Sequence, residues 1–160
     1  MDTSERRFMK LAITEARRCK PEDGRPHPLV GAVAVRASKV LAKAHRGKPK
    51  PGNHAEFALL ESQLRDESVA GATIYTTLEP CTVRNHPKVP CANRLIERKV
   101  SRVVIGMLDP NRRIRGQGYE RLRAANIIVD LFPNDLVVQI EELNREFRAK
   151  MGTCYISPAI

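Results

Sequence analysis

The spacing of apolar residues in the first half of the chain predicts two helices and three strands. Residues 4–19 place Phe8, Leu11 and Ala12 on one side of a helix, and residues 54–64 have a second helical pattern. Short runs rich in β-branched residues predict strands at 29–35, 39–45 and 72–78, the first two at hairpin distance. A loop rich in glycine and proline, "GKPKPGN", separates this hairpin from the second helix.

The second half alternates between helical and strand patterns. We expect helices at 91–99 and 117–126, strands at 102–108 and 127–132, and a last helix at 134–147 with Asn134 as its N-cap. Helices of about ten residues between strands favour a layered α/β fold whose second half is largely parallel.

The chain has the usual length of one domain. Of its 160 residues we assign 1–150 to that domain and expect a tail without periodicity at 151–160. No apolar stretch approaches the roughly 18 residues that a membrane span needs. The N-terminus, "MDTSERRFMKLAITEARRC", is charged throughout and lacks the apolar segment of a signal peptide. We therefore predict a cytoplasmic protein with no membrane partner.

Basic residues are concentrated at the start of the chain. The net charge is +10, and thirteen basic against five acidic residues give +8 within residues 1–50. This bias favours anionic partners, either a phosphorylated small molecule or nucleic acid, although a basic surface also serves solubility alone. Aromatic residues are only 4% of the chain, which disfavours stacking on single-stranded nucleic acid.

The cysteines give the first indication of chemistry. Cys81 and Cys91 are separated by nine residues in "TTLEPCTVRNHPKVPCANRL". Thiols stay reduced in the cytoplasm, so a cysteine pair close in sequence is more often metal-binding or catalytic than a disulfide. The other two cysteines, Cys19 and Cys154, are interpreted as buried or partly exposed free thiols.

A histidine and a glutamate complete a candidate metal site. In "NHAEF", His54 begins a helix after the loop, Cys81 follows a strand, and Cys91 begins another helix. One imidazole and two thiolates form a zinc set that leaves the fourth tetrahedral position open, as in catalytic sites. Zinc lowers the pKa of water toward neutrality, and Glu56 is the candidate that takes the proton and returns it to a leaving nitrogen. The alternative is a closed site with His86 as fourth ligand, which leaves Glu56 without a role.

The order His-x-Glu, Pro-Cys, Cys resembles the signature of zinc nucleobase deaminases. The chain is thus similar to the cytidine-deaminase-like superfamily. In many members only two residues separate the cysteines, and the nine-residue separation here resembles the deaminase of riboflavin biosynthesis. "HPLVGAV", "AHRGKPKPGNHAE", "TTLEPC" and "RVVIGMLDPNRRIRGQGYERLRAANIIV" agree with that family in order and spacing, over roughly residues 8–132.

The resemblance implies a three-layer α/β/α fold with a central mixed five-stranded sheet. It implies zinc on the three ligands, Glu56 as the catalytic proton shuttle, and release of ammonia from a ribosylated diaminopyrimidinone phosphate. It also implies His45, Asp109 and Asn111 as substrate contacts, although "DPN" alone is equally typical of a turn and helix cap. The superfamily further implies a homo-oligomer, either a dimer or a tetramer.

Three departures from the family pattern bear on the substrate. The family's usual chain continues into a reductase domain, whereas this one ends at Ile160. His27 replaces a substrate-contacting asparagine, and an imidazole presents its donor and acceptor on different edges, so this position leaves open a change in the heterocycle or sugar that is recognised. The loop between the cysteines is one residue longer and carries Arg84, His86 and Lys88, which form either a phosphate pocket or a solvated loop.

Three functions are therefore compared. The leading one is hydrolytic deamination of an anionic, small-molecule aminopyrimidine, phosphoribosylated as in the riboflavin pathway. A deaminase of nucleic acid, nucleotides or nucleobases is the second. A zinc-stabilised binding module without catalysis is the third, and the intact Glu56 disfavours it because a structural zinc needs no neighbouring acid.

Overall fold

Five strands form one mixed sheet in the computed structural model, which describes residues 2–153. The strands are β1 (Gly31–Arg36), β2 (Lys39–His45), β3 (Thr73–Leu78), β4 (Arg102–Met107) and β5 (Ile128–Leu131). Their order is β2-β1-β3-β4-β5; β1 is antiparallel to β2 and β3, whereas β3, β4 and β5 are parallel. The mixed five-stranded sheet and its parallel second half are confirmed.

Helices follow most of the strands, as the alternation predicted. They are α1 (Arg6–Ala16), α2 (Ala55–Phe57) with a π-helical continuation (Ala58–Gln63), α3 (Cys91–Glu97), α4 (Gln117–Ala124), α5 (Asn134–Leu143) and α6 (Arg145–Thr153).

The two faces of the sheet pack against different helices, because neighbouring strand residues point to opposite faces. Ala32 of β1 and Ile74 of β3 share a core with the π-helical continuation, α3 and α4. Their neighbours Val33 and Tyr75 share a second core with α1 and α5. The three-layer α/β/α architecture is thereby confirmed.

The predicted helix at 54–64 exists but is not a regular α-helix. After α2 the backbone widens, and the Leu64 N–H donates to the carbonyl of Leu59, five residues earlier, at 3.0 Å. Such π-helical turns are rare and often lie at functional sites. Helical composition does not reveal this widening, so the sequence predicted a helix and not its type.

The predicted helix at 134–147 is divided in two, and the prediction of its N-cap is wrong. Pro133 occupies the N-cap position, and Asn134 is the first residue of α5. The division falls at Asn144, whose side-chain amide accepts from the Leu29 N–H at 2.7 Å and donates to the Leu29 carbonyl at 3.2 Å. A bond across 115 residues is invisible to local periodicity, which predicted one continuous helix.

Helix α1 lies directly on β1. A Cβ atom at residue Gly31 would stand 2.0 Å from the carbonyl oxygen of Ala12 and 2.5 Å from the amide nitrogen of Ala16. Glycine is required at this close approach of two backbones. The contact fixes the start of β1, and with it the segment 27–30 that leads into the strand.

The predicted tail and the remaining cysteines can be placed only in part. Helix α6 continues to Thr153, so the first three residues of the predicted tail are helical. Residues 154–160, with Cys154, lie outside the described part. Cys19 is a partly buried free thiol whose Sγ lies 3.5 Å from the Val30 carbonyl oxygen. No helix in residues 2–153 is long and apolar enough to cross a membrane.

Candidate active site

The structure brings together the imidazole and the two thiols that the sequence singled out. His54 immediately precedes α2, Cys81 lies after β3, and Cys91 is the first residue of α3. The Nδ1 atom of His54 lies 3.6 Å from the Cys81 Sγ and 3.4 Å from the Cys91 Sγ. Their three donor atoms all lie within 4.8 Å of one another, so one ion can contact all three.

These distances fit a tetrahedral zinc ion. Zinc bonds of about 2.3 Å to sulfur and about 2.0–2.1 Å to nitrogen place two ligands of a tetrahedron about 3.6 Å apart. Nδ1 of His54 meets that spacing to both sulfur atoms, at 3.6 and 3.4 Å. His86 is exposed in the loop between the cysteines and is not part of the described three-residue group. The donor set therefore suits an ion with one open position.

The two thiols of this group shift each other's pKa in opposite directions. The Cys91 thiol donates to Cys81, which lowers the pKa of Cys81 to about 4. The same bond raises the pKa of Cys91 above its usual range, and burial raises it further. The backbone N–H of Cys91 also donates to the Cys81 sulfur, at 3.3 Å. A metal ion must displace one proton to gain both thiolates.

Glu56 is buried beside this group. Only 4% of the residue is exposed, and the Thr76 hydroxyl donates to its Oε1 at 3.0 Å. Burial raises the pKa of Glu56. A carboxyl group whose pKa is moved toward neutrality can both accept and donate a proton, which is what general acid–base catalysis requires.

A cleft opens from the metal ligands to the surface. Its volume is about 210 Å³, and its walls include His54, Glu56, Cys81 and Asp109. The last two follow β3 and β4, so the cleft lies at the carboxyl ends of two parallel strands, where ligands bind in open α/β sheets.

The predicted substrate contacts divide into two groups. His27 and Asp109 line the cleft. Asn111 lies next to it, with its backbone N–H donating to the Asp109 carboxylate at 2.8 Å. His45 is buried at the end of β2, where its Nδ1 lies 3.1 Å from the Glu15 carboxylate, and it is not among the lining residues. The loop residues are also absent from the cleft wall; these are Arg84, His86 and Lys88.

Comparison with known proteins agrees with the metal site. Residues 2–107 match the family described as the cytidine and deoxycytidylate deaminase zinc-binding region, and the match includes all three candidate metal ligands. The chain belongs to this zinc-binding deaminase family. Zinc is the metal of the family, and it is the ion whose bond lengths fit the three donors.

Curated relatives of this chain carry names from riboflavin biosynthesis or name an aminopyrimidine deaminase. The riboflavin biosynthesis protein RibD of Aquifex aeolicus is 38% identical over 144 residues, which are 89% of this chain and 38% of the relative. The diaminohydroxyphosphoribosylamino-pyrimidine deaminase of Schizosaccharomyces pombe is 36% identical over 126 residues, which are 76% of this chain and 30% of the relative. The chain thus spans well under half the length of these relatives.

Solved structures show the same fold. The diaminohydroxyphosphoribosylaminopyrimidine deaminase/reductase from Thermotoga maritima has a TM-score of 0.81 and 32% identity, over 94% of this chain and 42% of that one. The Rib2 deaminase of Aspergillus oryzae, a C-terminal deletion mutant, has a TM-score of 0.73 over 98% of this chain and all of that one. At 18% identity the second likeness is one of fold alone.

Sequence reasoning missed Glu79, a buried acid of the deaminase cleft. Its carboxylate accepts the backbone N–H groups of Asp109, Gly116 and Tyr119, each at 3.0 Å. These bonds tie the segment after β4 and the start of α4 to the end of β3, two residues before Cys81. The available signal was a glutamate between a strand and a proline in "LEPC", a position where a charged group needs partners.

Two further lining residues were also missed. Arg46, next to His45, and Phe147, on α6, both face the cleft. The Arg46 Nη2 donates to the Nδ1 of His27 at 3.4 Å, so the proton of that imidazole lies on Nε2, which donates to Asp23 at 2.8 Å. Both ring nitrogens of His27 are therefore hydrogen-bonded within the protein. A side-chain amide that is free of such bonds could offer its donor and acceptor to a substrate.

Proposed function

We propose that this chain is a zinc-dependent hydrolase that deaminates an aminopyrimidine-type heterocycle and releases ammonia. One observation carries the proposal: a buried carboxylate, Glu56, lies beside a three-donor metal group that opens into a cleft. A structural metal site needs neither the open position nor the acid. The proposed zinc ligands are His54, Cys81 and Cys91, and the proposed catalytic residue is Glu56.

The chemistry follows from the positions of these groups. Zinc, when bound by the three donors, supplies a Lewis acid that makes water nucleophilic near neutral pH. Glu56 takes a proton from the water that attacks the ring carbon bearing the amine. A C–O bond forms, Glu56 gives the proton to the amine nitrogen, and the C–N bond breaks to release ammonia. The proton that remains on the new hydroxyl moves to the ring nitrogen, which leaves a carbonyl. The Thr76 hydroxyl orients the carboxylate for both transfers.

The proposed substrate is the phosphoribosylated diaminopyrimidinone of the riboflavin pathway. Its support is the names of the relatives, 36–38% identical to this chain over most of its length. A groove of about 480 Å³ adjoins the cleft and shares His27, Pro28, Arg46 and Phe147 with it. This groove offers room for the ribosyl phosphate next to the heterocycle. Lys20 in its wall suits an anionic group, whereas Arg25 already pairs with Asp23. Three glutamates also line the groove; these are Glu22, Glu142 and Glu146.

The test is ammonia release from that compound by the zinc-loaded protein. Glu56→Gln keeps the shape of the side chain but cannot accept the proton, so we expect a rate at least about 100-fold lower with zinc content unchanged. Glu67→Gln is the matched control, because Glu67 is exposed, and we expect a wild-type rate. Equal rates for Glu56→Gln and wild type would refute the role of Glu56.

Other partners remain predictions. If the wild type releases no ammonia from the aminopyrimidine while binding zinc, the proposed substrate is wrong. Nucleotides, nucleobases and single-stranded nucleic acid are then the next substrates, and strongly salt-dependent binding would identify the last. The homo-oligomeric state, dimer or tetramer, and the cytoplasmic location also stay predictions.

A further inference from the structure

Phe147 stands apart from the rest of the cleft wall. Every other residue that lines the cleft lies between positions 27 and 109, whereas Phe147 is on α6. It lines both the cleft and the adjoining groove, so it lies where the two cavities meet. The family match ends at residue 107, and nothing in it accounts for an aromatic ring at this place.

Asn144 ties α6 to the opposite wall. The residue is 3% exposed, and its amide makes the two bonds to the Leu29 backbone and a third, at 3.0 Å, to the Ile140 carbonyl. Leu29 follows Pro28, which lines the cleft, and Phe147 is three residues after Asn144. One buried side chain thus fixes the start of α6 relative to the 27–30 segment.

The neighbouring wall offers ring and apolar surface together with one buried donor that has no partner among the described residues, the Arg46 Nε. Both nitrogens of His27 are engaged, by Asp23 and Arg46, which leaves its ring carbons and faces for a ligand. Pro28 and Val30 add apolar surface on the same side. A flat heterocycle is held well by such surfaces, since π-systems stack on aromatic faces irrespective of their substituents.

We propose that Phe147 is a substrate-contact residue that stacks on the heterocycle, and that Asn144 is the positioning residue that holds it there. The inference rests on the proposed function for its ligand class, a planar nitrogen heterocycle. It assigns recognition of the ring to α6, separately from the zinc ligands and Glu56.

Kinetics of the zinc-loaded protein test the proposal. Removal of one stacking contact weakens binding of a base by about 5- to 150-fold, so we expect Phe147→Ala to raise KM by that factor with kcat within about 3-fold of wild type. Phe147→Tyr keeps the aromatic ring, so its KM should stay close to that of the wild type. Arg148→Ala, on the same helix and outside the cleft wall, is the matched control. An unchanged KM for Phe147→Ala overturns the proposal.

A double-mutant cycle tests Asn144. If Asn144 acts through Phe147, Asn144→Ala should raise KM in the wild type and change it little in a Phe147→Ala background. Additive effects on KM overturn the positioning role. If Asn144→Ala does not fold, Asn144→Ser, which keeps a small polar group, takes its place in the cycle.

A fluorescence experiment separates failure of this proposal from failure of the proposed function. The chain has no tryptophan, so Phe147→Trp introduces a single reporter. In a Glu56→Gln background, titration with the aminopyrimidine ribosyl phosphate should shift or quench its emission without turnover. If the wild type does not deaminate this compound, the same titration is made with dCMP and free aminopyrimidines. A change with any of them supports a ring contact at residue 147, and constant emission with all of them overturns it.

Discussion

Glu15 is a buried carboxylate on α1 that holds a residue beside the cleft. It is 1% exposed and accepts from the His45 Nδ1 at 3.1 Å and from the Arg18 Nη1 at 3.1 Å. Burial, the largest single influence, raises the pKa of Glu15, but the bonds from His45 and Arg18 and the charges of Arg18 and Lys43 together lower it below the usual value. His45 thus has a partner inside the fold, and its neighbour Arg46 is the residue that reaches the cleft.

This cluster makes stability depend on pH. A carboxylate with a lowered folded-state pKa stabilises the protein above its unfolded pKa of about 4.3, and the effect is lost as pH falls through the folded-state value. Glu15→Gln should therefore lower the free energy of unfolding by about 1.5–3 kcal/mol at pH 7, with a smaller difference below about pH 4. Urea unfolding at both pH values measures this. Glu142→Gln, at an exposed pair, is the control, and a gap that does not shrink at low pH contradicts the prediction.

Single residues also show how far sequence reasoning extends at this scale. His54, Glu56, Cys81 and Cys91 were singled out from their types, their order and their positions at element ends, and the structure brings them together. Glu79 was missed because its role consists of bonds to backbone groups 30–40 residues away. A side chain that binds only backbone groups does not restrict the residue types of its partners, so the sequence contains no pattern that reveals the contact.

At the scale of elements, the backbones of α1 and β1 approach each other closely at Gly31. The carbonyl of Ala12 occupies the place that a Cβ atom at residue Gly31 would take. The segment after the helix leads through His27 and Pro28 into the same strand, so the fit of helix on strand also sets one wall of the cleft.

Gly31→Ala should therefore cost stability. Because the obstacle is backbone and not a flexible side chain, we expect a loss of at least about 2–3 kcal/mol and a melting temperature lower by about 5–10 °C. Gly71→Ala is the comparison, since nothing lies within 4 Å of its Cβ and only its φ of +74° causes strain. Thermal unfolding of both variants gives the answer, and a smaller loss for Gly31→Ala than for Gly71→Ala would contradict the clash.

The helices show where periodicity works and where it fails. Apolar spacing located the five strands and helices α1 to α5 to within a few residues, because burial of one face is a local requirement, but it did not predict α6 as a separate helix. It did not locate the π-helical widening after Phe57 or the division at Asn144. Both depend on packing or bonding with distant parts of the chain.

At the scale of the whole molecule, the metal site joins three separate parts of the fold. Its donors come from the start of α2, the end of β3 and the start of α3. The unfolded chain does not hold them in one place, so an ion bound to the folded state stabilises that state by mass action.

Removal of zinc should therefore affect both stability and activity. At zinc concentrations about 100-fold above Kd, binding contributes about 2.7 kcal/mol, so a chelator should lower the melting temperature by about 5–10 °C and abolish ammonia release. Added zinc should restore both.

Cysteine variants make this test specific to the site. Cys91→Ser should remove most of the response to chelator, whereas Cys19→Ser should retain it, because Cys19 lies outside the ligand group. A melting temperature of the wild type that is insensitive to chelator would argue against the metal site.

The sequence by itself determined the order of elements, the α/β class and the zinc-ligand chemistry, since these rest on periodicity and on the types of a few residues at element ends. The resemblance to a known family supplied the three-layer arrangement and the substrate class. Only the tertiary structure decided which groups line the cleft: it placed Arg46 and Phe147 there, engaged both nitrogens of His27, and left His45 with Glu15. The physical reason is that cleft walls are made by contacts between residues far apart in sequence, and no local pattern encodes them.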